Sequence, residues 1–309
     1  MDEAQSYSSK PQIQTVTQVI EREVIKEVYE TPSDYKKAIA FIGSHKVGTT
    51  FIINAIADNL VSKGIKTAIL DLTKNKDTYK IYAANNSEYK EIAGNSIPNL
   101  VIGQDVPLRL GDLSIYTGIP RVDRSKIDAV RAIEKIRNQN AVILVDCDFT
   151  TSIDIFRLVN NIFVIQDMDI TKILDITCFL RELKVRDIGL DKVEVIINKY
   201  IKSMLTVDNI VEAMSYYTNP EMTFVDELLA KNVKRFVIPF DEQNYLRYVE
   251  ALYSAKLNFN GFSEEFMNDI ASITHEIYPI SSTANRNDQQ QIISSAKDGI
   301  IKNLFKKRK

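Results

Sequence analysis

Gly43-Ser44-His45-Lys46-Val47-Gly48-Thr49-Thr50, GSHKVGTT, divides an apolar stretch, Ala38–Ile42, from a segment whose apolar residues fall on one helical face. Strand, glycine-bounded turn and helix start, in that order, form the position of a phosphate-binding loop. The usual pattern is a glycine, four residues, a second glycine, a lysine, then serine or threonine. Gly43, Gly48 and Thr50 satisfy it, and Thr49 occupies the lysine position. Consecutive main-chain N–H groups in such a loop can meet phosphate oxygens, and the following helix adds its positive dipole end. Thr50 can offer its hydroxyl to Mg²⁺, Lys46 can supply charge from inside the loop, and His45 can add a donor. The same eight residues also suit an ordinary strand–helix turn, so their surroundings have to decide.

Outward from the loop, strands and helices alternate. Apolar runs predict strands at 37–43, 66–72, 113–118, 141–148, 161–166, 192–198 and 234–239. Most are continuously apolar rather than alternating, as strands covered on both faces must be. Helical periodicity predicts helices at 49–62, 125–138, 170–184, 205–216, 242–255 and 263–276. This order implies a doubly wound, mostly parallel α/β sheet with helices on both faces and ligands at the strand carboxyl ends. The expected division is 1–35, an N-terminal tail; 36–280, the nucleotide-binding domain; and 281–309, a tether and basic end.

Composition narrows the function. The 309 residues are 45% hydrophobic, enough for a sizeable core, and the net charge of −2 gives no general attraction to nucleic acid. The two cysteines, Cys147 and Cys178, make no disulfide framework, so a reducing cytoplasm is expected. The polar start MDEAQSYSSK is not a secretory signal, and no apolar run is long enough to span a bilayer. The two histidines, His45 and His275, have no metal-site spacing, and no serine or cysteine nucleophile motif is present.

Other segments extend the loop's reading. DLTKNKD (71–77) follows the second strand, and VILVDCD (142–148) ends a strong apolar run in Asp146 and Asp148. VIINKY (195–200) and FVIPFDEQ (236–243) stand at later strand ends. Together these resemble the MinD/ParA superfamily of P-loop ATPases over most of the chain. The resemblance implies ATP and Mg²⁺ as cofactors and a homodimer. It makes Gly43–Thr50 the phosphate loop, Asp71 the first-switch aspartate and Asp146 the Walker B residue, holding Mg²⁺ through water beside Thr50. It makes Asn198 the base-recognising asparagine and places Pro239 and Asp241 against the adenine. Asp71 and Asp146 are then the candidate catalytic carboxylates. Asp146 also suits a plain strand-end carboxylate, and Asn198 an ordinary turn residue.

The departures matter as much. The family's loop reads like KGGVGKTT; here Ser44 replaces its early signature lysine and Thr49 its later one. Thr73 stands where a second switch aspartate, which helps position the attacking water, is expected. Phosphoryl transfer depends on charge neutralisation and water positioning, so hydrolysis should be slow or absent. A small residue before Thr50 is similar to the CpaE/TadZ proteins of Tad (Flp) pilus assembly. Those usually keep the early lysine and carry a receiver-like domain ahead of the ATPase-like one; here about 35 residues precede it.

The ends have their own character. Val16, Ile20, Val24 and Val28 repeat every fourth residue, which suits one face of either a helix or a strand. That segment reads as a solvated lead-in or as a short self-association or partner segment. In IISSAKDGIIKNLFKKRK (292–309), Ile293, Ile300, Ile301, Leu304 and Phe305 share a helical face beside Lys306 and Lys307. The pattern suits a peripheral helix on an anionic membrane, and is similar to MinD's membrane-targeting end; a partner-docking helix or a frayed tail fits too. The expected function is an ATP-binding positioning or assembly factor at the membrane face, serving pilus or secretion machinery. The alternatives are a nucleotide-free pseudo-ATPase scaffold and a DNA-segregating ParA-type ATPase, though the sequence shows no nucleic-acid signature.

Overall fold

Strand β2 (Lys37–Gly43) lies at the centre of an eight-stranded sheet, between β6 (Val142–Cys147) and β7 (Asn161–Gln166), and is parallel to both. In this computed structural model the described residues are 29–30, 36–121, 128–214, 233–254, 257–279 and 281–282. The other strands are β3 (Thr67–Asp71), β4 (Leu108–Leu110), β5 (Leu113–Tyr116), β8 (Val193–Tyr200) and β9 (Arg235–Pro239). Their order is β4-β5-β3-β6-β2-β7-β8-β9, and only the β4–β5 pairing is antiparallel. The dipeptide strands β1 (Tyr29–Glu30) and β10 (Ser281–Ser282) form a separate two-stranded sheet.

Side chains of a strand alternate between faces, and here both faces are buried. Ala38, Ala40 and Ile42 enter one core with α4 (Ala129–Arg137), α5 (Asp154–Leu158), α6 (Ile173–Val185) and α7 (Val207–Ala213). Ile39 and Phe41 enter the other, against α1 (Thr49–Ser62) and α9 (Glu264–Ile277). Two-sided burial explains why the strands read as unbroken apolar runs. The doubly wound, mostly parallel sheet is the architecture expected from the alternation.

All seven predicted strands are present. Among the described residues three α-helices and three strands, β4 and the dipeptides β1 and β10, go beyond the sequence reading. Helix α3 (Ser87–Val101) carries Gly94 and Pro98 in its interior, both of which argue against a helix. It survives because the Ile97 amide bonds the Thr117 carbonyl (3.2 Å) and the Ser96 hydroxyl bonds that same carbonyl (2.8 Å). Tertiary partners thus replace helix bonds. Helices α2 (Asp77–Ala83) and α5 are too short for a period, and β4 is a three-residue edge strand. The final long helices are α8 (Glu242–Ser254) and α9. The terminal segments, including the repeat at 16–28 and the membrane candidates Ile293, Ile300, Ile301, Leu304, Phe305, Lys306 and Lys307, lie outside the described residues.

Candidate functional site

The loop Gly43–Gly48 leaves the carboxyl end of the central strand and runs straight into α1. Neither glycine tolerates a side chain. A Cβ on Gly43 would lie 2.7 Å from each of the Ile165 carbonyl, Thr49 Oγ1 and Val47 Cγ2. Gly48 has φ 98°, and a Cβ there would overlap Asn198 Nδ2. Gly48 caps α1 without a side-chain hydrogen bond, so the first amides of the helix keep donors to spare at its positive end. Lys46 is also left-handed, φ 63°. Against KGGVGKTT it stands at the second glycine, a position where a side chain is strained.

Two residues at the end of β8 hold the loop in shape. Asn198 Nδ2 donates to the Val47 carbonyl (2.7 Å), and Lys199 Nζ donates to the Lys46 carbonyl (2.6 Å). Consecutive carbonyls are thereby turned toward β8. Ser44, buried at the early lysine position, donates its hydroxyl to the Lys172 carbonyl (2.9 Å). His45 and Lys46 are exposed at the loop tip.

At the other side of the loop, Thr50 Oγ1 donates to Asp146 Oδ2 (2.7 Å). Asp146 is buried, and its Oδ1 has no hydrogen-bond partner. Burial, then the neighbouring charge of Asp71, raises its pKa well above the usual carboxylate value. Asp71 pairs in register with Asp146 across β3 and β6. Its Oδ1 accepts from the Thr73 amide (3.0 Å) and hydroxyl (2.7 Å), and its Oδ2 accepts from the Thr117 hydroxyl (3.0 Å). Burial raises its pKa too, with Lys76 and these hydrogen bonds opposing. Asp148 Oδ2 accepts from the Lys74 amide (2.6 Å), tying the 72–77 loop to β6.

One cleft of about 450 Å³ gathers these groups at the strand carboxyl ends. Gly43, Ser44, His45, Lys46, Val47, Gly48, Thr49, Thr50, Asp146, Asn198, Pro239 and Asp241 all line it. Asp71 does not; its carboxylate is anchored behind the cleft wall. Asp241 caps α8 by accepting from the Asn244 amide (3.0 Å), a bond that lowers its pKa. Asn198 has one amide hydrogen committed to the loop. Sequence reasoning missed the apolar wall of the cleft: Phe51, Phe240, Tyr245, Tyr248 and Phe266. Phe51 and Tyr248 meet edge to face, with centroids 4.7 Å apart, and burial pushes the Tyr248 hydroxyl up to about 12. The helical spacing of Asp241, Tyr245 and Tyr248 was the available signal. Lys199 was missed as well, although it directly follows Asn198.

No family model matches the chain, and no curated protein does. Solved structures do. A ParA family ATPase from Chlorobium tepidum TLS superposes with TM-score 0.56 at 15% identity, covering 78% of this chain and 98% of that one. MinD from the Aquifex aeolicus MinC:MinD complex gives 0.57 at 15% identity over 79% and 98%. A Borrelia burgdorferi B31 plasmid partition protein bound to AMPPNP gives 0.55 at 11% identity over 78% and 99%. The fold is that of the MinD/ParA P-loop ATPases. In a MinD/ParA fold the loop after the central strand is where phosphates would sit, and the residues found there can be tested for fit.

They fit in part. Two glycines without room for a Cβ, spare helix amides, and a buried carboxylate oxygen without a partner beside a threonine hydroxyl suit an Mg²⁺-bound phosphate chain. Among the described residues no group of three or more His, Cys, Asp or Glu could hold a metal alone. Mg²⁺ here would therefore depend on phosphate oxygens and water, as it commonly does. Thr49, by contrast, offers no cation. The arrangement can bind; its means of neutralising charge developing on a transferred phosphoryl group are reduced.

Proposed function

We propose that this chain is an ATP-binding positioning or assembly factor that hydrolyses ATP slowly or not at all. The observation that carries the reading is the cleft itself. A phosphate-loop bend with its Mg²⁺-type pair, Thr50 and Asp146, is intact, while Thr49 and Ser44 stand at the two lysine positions. Gly43–Thr50 would hold the phosphates, Thr50 and Asp146 the metal, and Asn198, Pro239 and Asp241 would border the base. Mg²⁺, when bound, would offset charge on the phosphate oxygens. The chain's own residues would orient the nucleotide and, through the aromatic wall, exclude water.

Loss of a single charge-stabilising donor typically costs about 2.7–4 kcal/mol of transition-state stabilisation, or about 10²–10³ in rate. Two absent lysines make binding without efficient turnover the expected behaviour. The test is titration with AMPPNP with and without Mg²⁺, followed by ATP turnover of the wild type and of Thr49→Lys. Mg²⁺-dependent binding at submillimolar nucleotide, with turnover at least about 100-fold faster in the lysine variant, supports the reading. No binding by the wild type rejects it in favour of a nucleotide-free scaffold.

The fold's relatives suggest the wider role. MinD is solved with MinC, and pNOB8 ParA with nonspecific DNA (TM-score 0.50, 15% identity). We infer a homodimer recruited to an anionic membrane surface by residues 292–309, where it would meet pilus or secretion machinery as CpaE/TadZ-like proteins do. Among the described residues no helix is long and apolar enough to cross a membrane. Liposome sedimentation of the full chain and of a chain ending at residue 291 separates the lipid role from none: equal pelleting rejects it.

A further inference from the structure

Neither Ser44 nor Thr49 supplies a cation, yet an ammonium group from outside the loop rests on it. Lys199, from the end of β8, carries its stem over the second glycine: its Cε is 3.9 Å from the place a Gly48 Cβ would occupy. Its Nζ stops 2.6 Å from the Lys46 carbonyl, a main-chain atom of the phosphate loop itself. It lines the same cleft as Gly43, Thr50 and Asp146. Its backbone is left-handed, φ 55°, a conformation an L residue holds only where surrounding structure imposes it.

The neighbouring cations are differently engaged. Lys172 Nζ is paired with Asp167 (3.4 Å) and Asp169 (3.2 Å), so its charge is neutralised locally. Lys76 Nζ donates to the Asp71 carbonyl (2.6 Å), behind the cleft wall. Lys46 projects from the exposed loop tip. Among the described residues Lys199 has no carboxylate within ion-pair distance; Asp167, whose charge acts on it, already holds Lys172. A part-buried ammonium satisfied by one carbonyl retains two N–H donors and an unbalanced charge. An anion placed on the loop supplies what is missing.

We propose that Lys199 is the phosphate-facing cation of this cleft, supplied from strand β8 in place of the loop's own lysines. The ligand class is a nucleoside polyphosphate, held by loop amides from below and by this ammonium from the β8 side. The assignment rests on the nucleotide-binding reading above and adds the residue that makes such binding electrostatically workable. It also separates affinity from chemistry. A lysine entering from β8 can offset ground-state phosphate charge, whereas neither loop position that could follow charge onto the transferred group carries a cation.

The experiment measures Mg²⁺–AMPPNP and adenosine affinities by competition against a fluorescent ATP analogue, for wild type, Lys199→Met and Lys199→Arg. Methionine keeps an apolar stem over Gly48 but removes the hydrogen bond to the Lys46 carbonyl together with the charge. Lys199→Gln, which keeps an N–H donor without the charge, is therefore measured beside it. Recovery of AMPPNP affinity by glutamine makes Lys199 a loop brace and overturns the assignment. Thermal unfolding checks that each variant is folded. The expected result is an AMPPNP affinity at least about tenfold weaker in Lys199→Met, adenosine affinity changed less than about twofold, and Lys199→Arg near wild type. Equal loss for AMPPNP and adenosine makes Lys199 a contact of the base side and overturns the assignment. Unchanged AMPPNP affinity overturns it too. Wild type that binds no AMPPNP overturns this assignment together with the nucleotide reading, so the two failures are told apart.

Discussion

Replacing Gly48 with alanine puts a methyl group where the Asn198 amide now lies. Two costs follow, and they can be separated. The first is backbone: at φ 98° an L residue is strained by about 1–2 kcal/mol. The second is the displaced hydrogen bond from Asn198 Nδ2 to the Val47 carbonyl, now 2.7 Å, which contributes about 1 kcal/mol. Gly48→Ala should therefore lower unfolding stability by about 2–3 kcal/mol. In an Asn198→Ala background the bond is already gone and the side-chain obstruction with it, so the same change should cost only the backbone share. A double-mutant cycle by urea denaturation, with m-values checked for constancy, should give a coupling of about 1 kcal/mol. Strict additivity would mean that Asn198 does not brace the loop, and the account of how the cradle is held would fail.

Other outcomes follow from the same geometry. Lys46→Gly relieves a left-handed side chain but loosens the unfolded chain, so stability should stay level or rise by up to about 1 kcal/mol, read as a urea midpoint; a clear loss would show that the Lys46 side chain braces the loop. Thr117→Val strips Asp71 Oδ2 of its buried partner and should cost about 1–3 kcal/mol in the same assay. Asp146→Asn bears on pH: burial and the Asp71 charge hold the folded pKa of Asp146 above its ordinary value of 3.8. The folded state then keeps this proton longer, so Asp146 costs stability as pH rises from 3.8 through the raised folded pKa. The amide variant should melt higher than wild type at neutral pH, with the gap closing toward pH 4; a constant gap would refute the titration. Thr49→Lys should tighten AMPPNP binding by roughly 10–100-fold, the worth of one charge-assisted contact of about 1.5–3 kcal/mol. Unchanged affinity would show that the loop geometry cannot admit that lysine.

Much of the fold was legible because two-sided burial writes itself into sequence. A strand such as VILVDC is apolar on both faces until Asp146 at its site end, because helices cover both sides, and all seven such runs became strands. What escaped were elements whose stability is borrowed. Helix α3 contains Pro98 and Gly94, and local propensity cannot anticipate that Thr117 will accept the diverted Ile97 amide. Within the site, the glycines and the strand-end Asp146 were readable as motif and position. Their company was not. Asn198 was readable as a strand-end residue beside the base, but not the second engagement of its amide, which grips the loop. Asp71 was readable as a strand-end carboxylate, but not its burial or its bonds from the Thr73 and Thr117 hydroxyls. The aromatic wall comes from Phe51 on α1, Phe240 after β9, Tyr245 and Tyr248 on α8 and Phe266 on α9, segments brought together only by tertiary packing.

The two outer strands of the sheet carry a further consequence. Strand β4 offers three residues with exposed Arg109 in the middle; β9 begins at exposed Arg235 and closes on Pro239, which has no N–H to give. Short length, charge and proline are the features that blunt a sheet against recruitment of foreign strands. Growth by ribbon-to-ribbon addition, the path to fibrils, is thus disfavoured at each margin. Among the described residues neither margin therefore invites a second copy of the chain by strand addition, which leaves the carboxyl ends of the strands and the helical layers as the faces for contact.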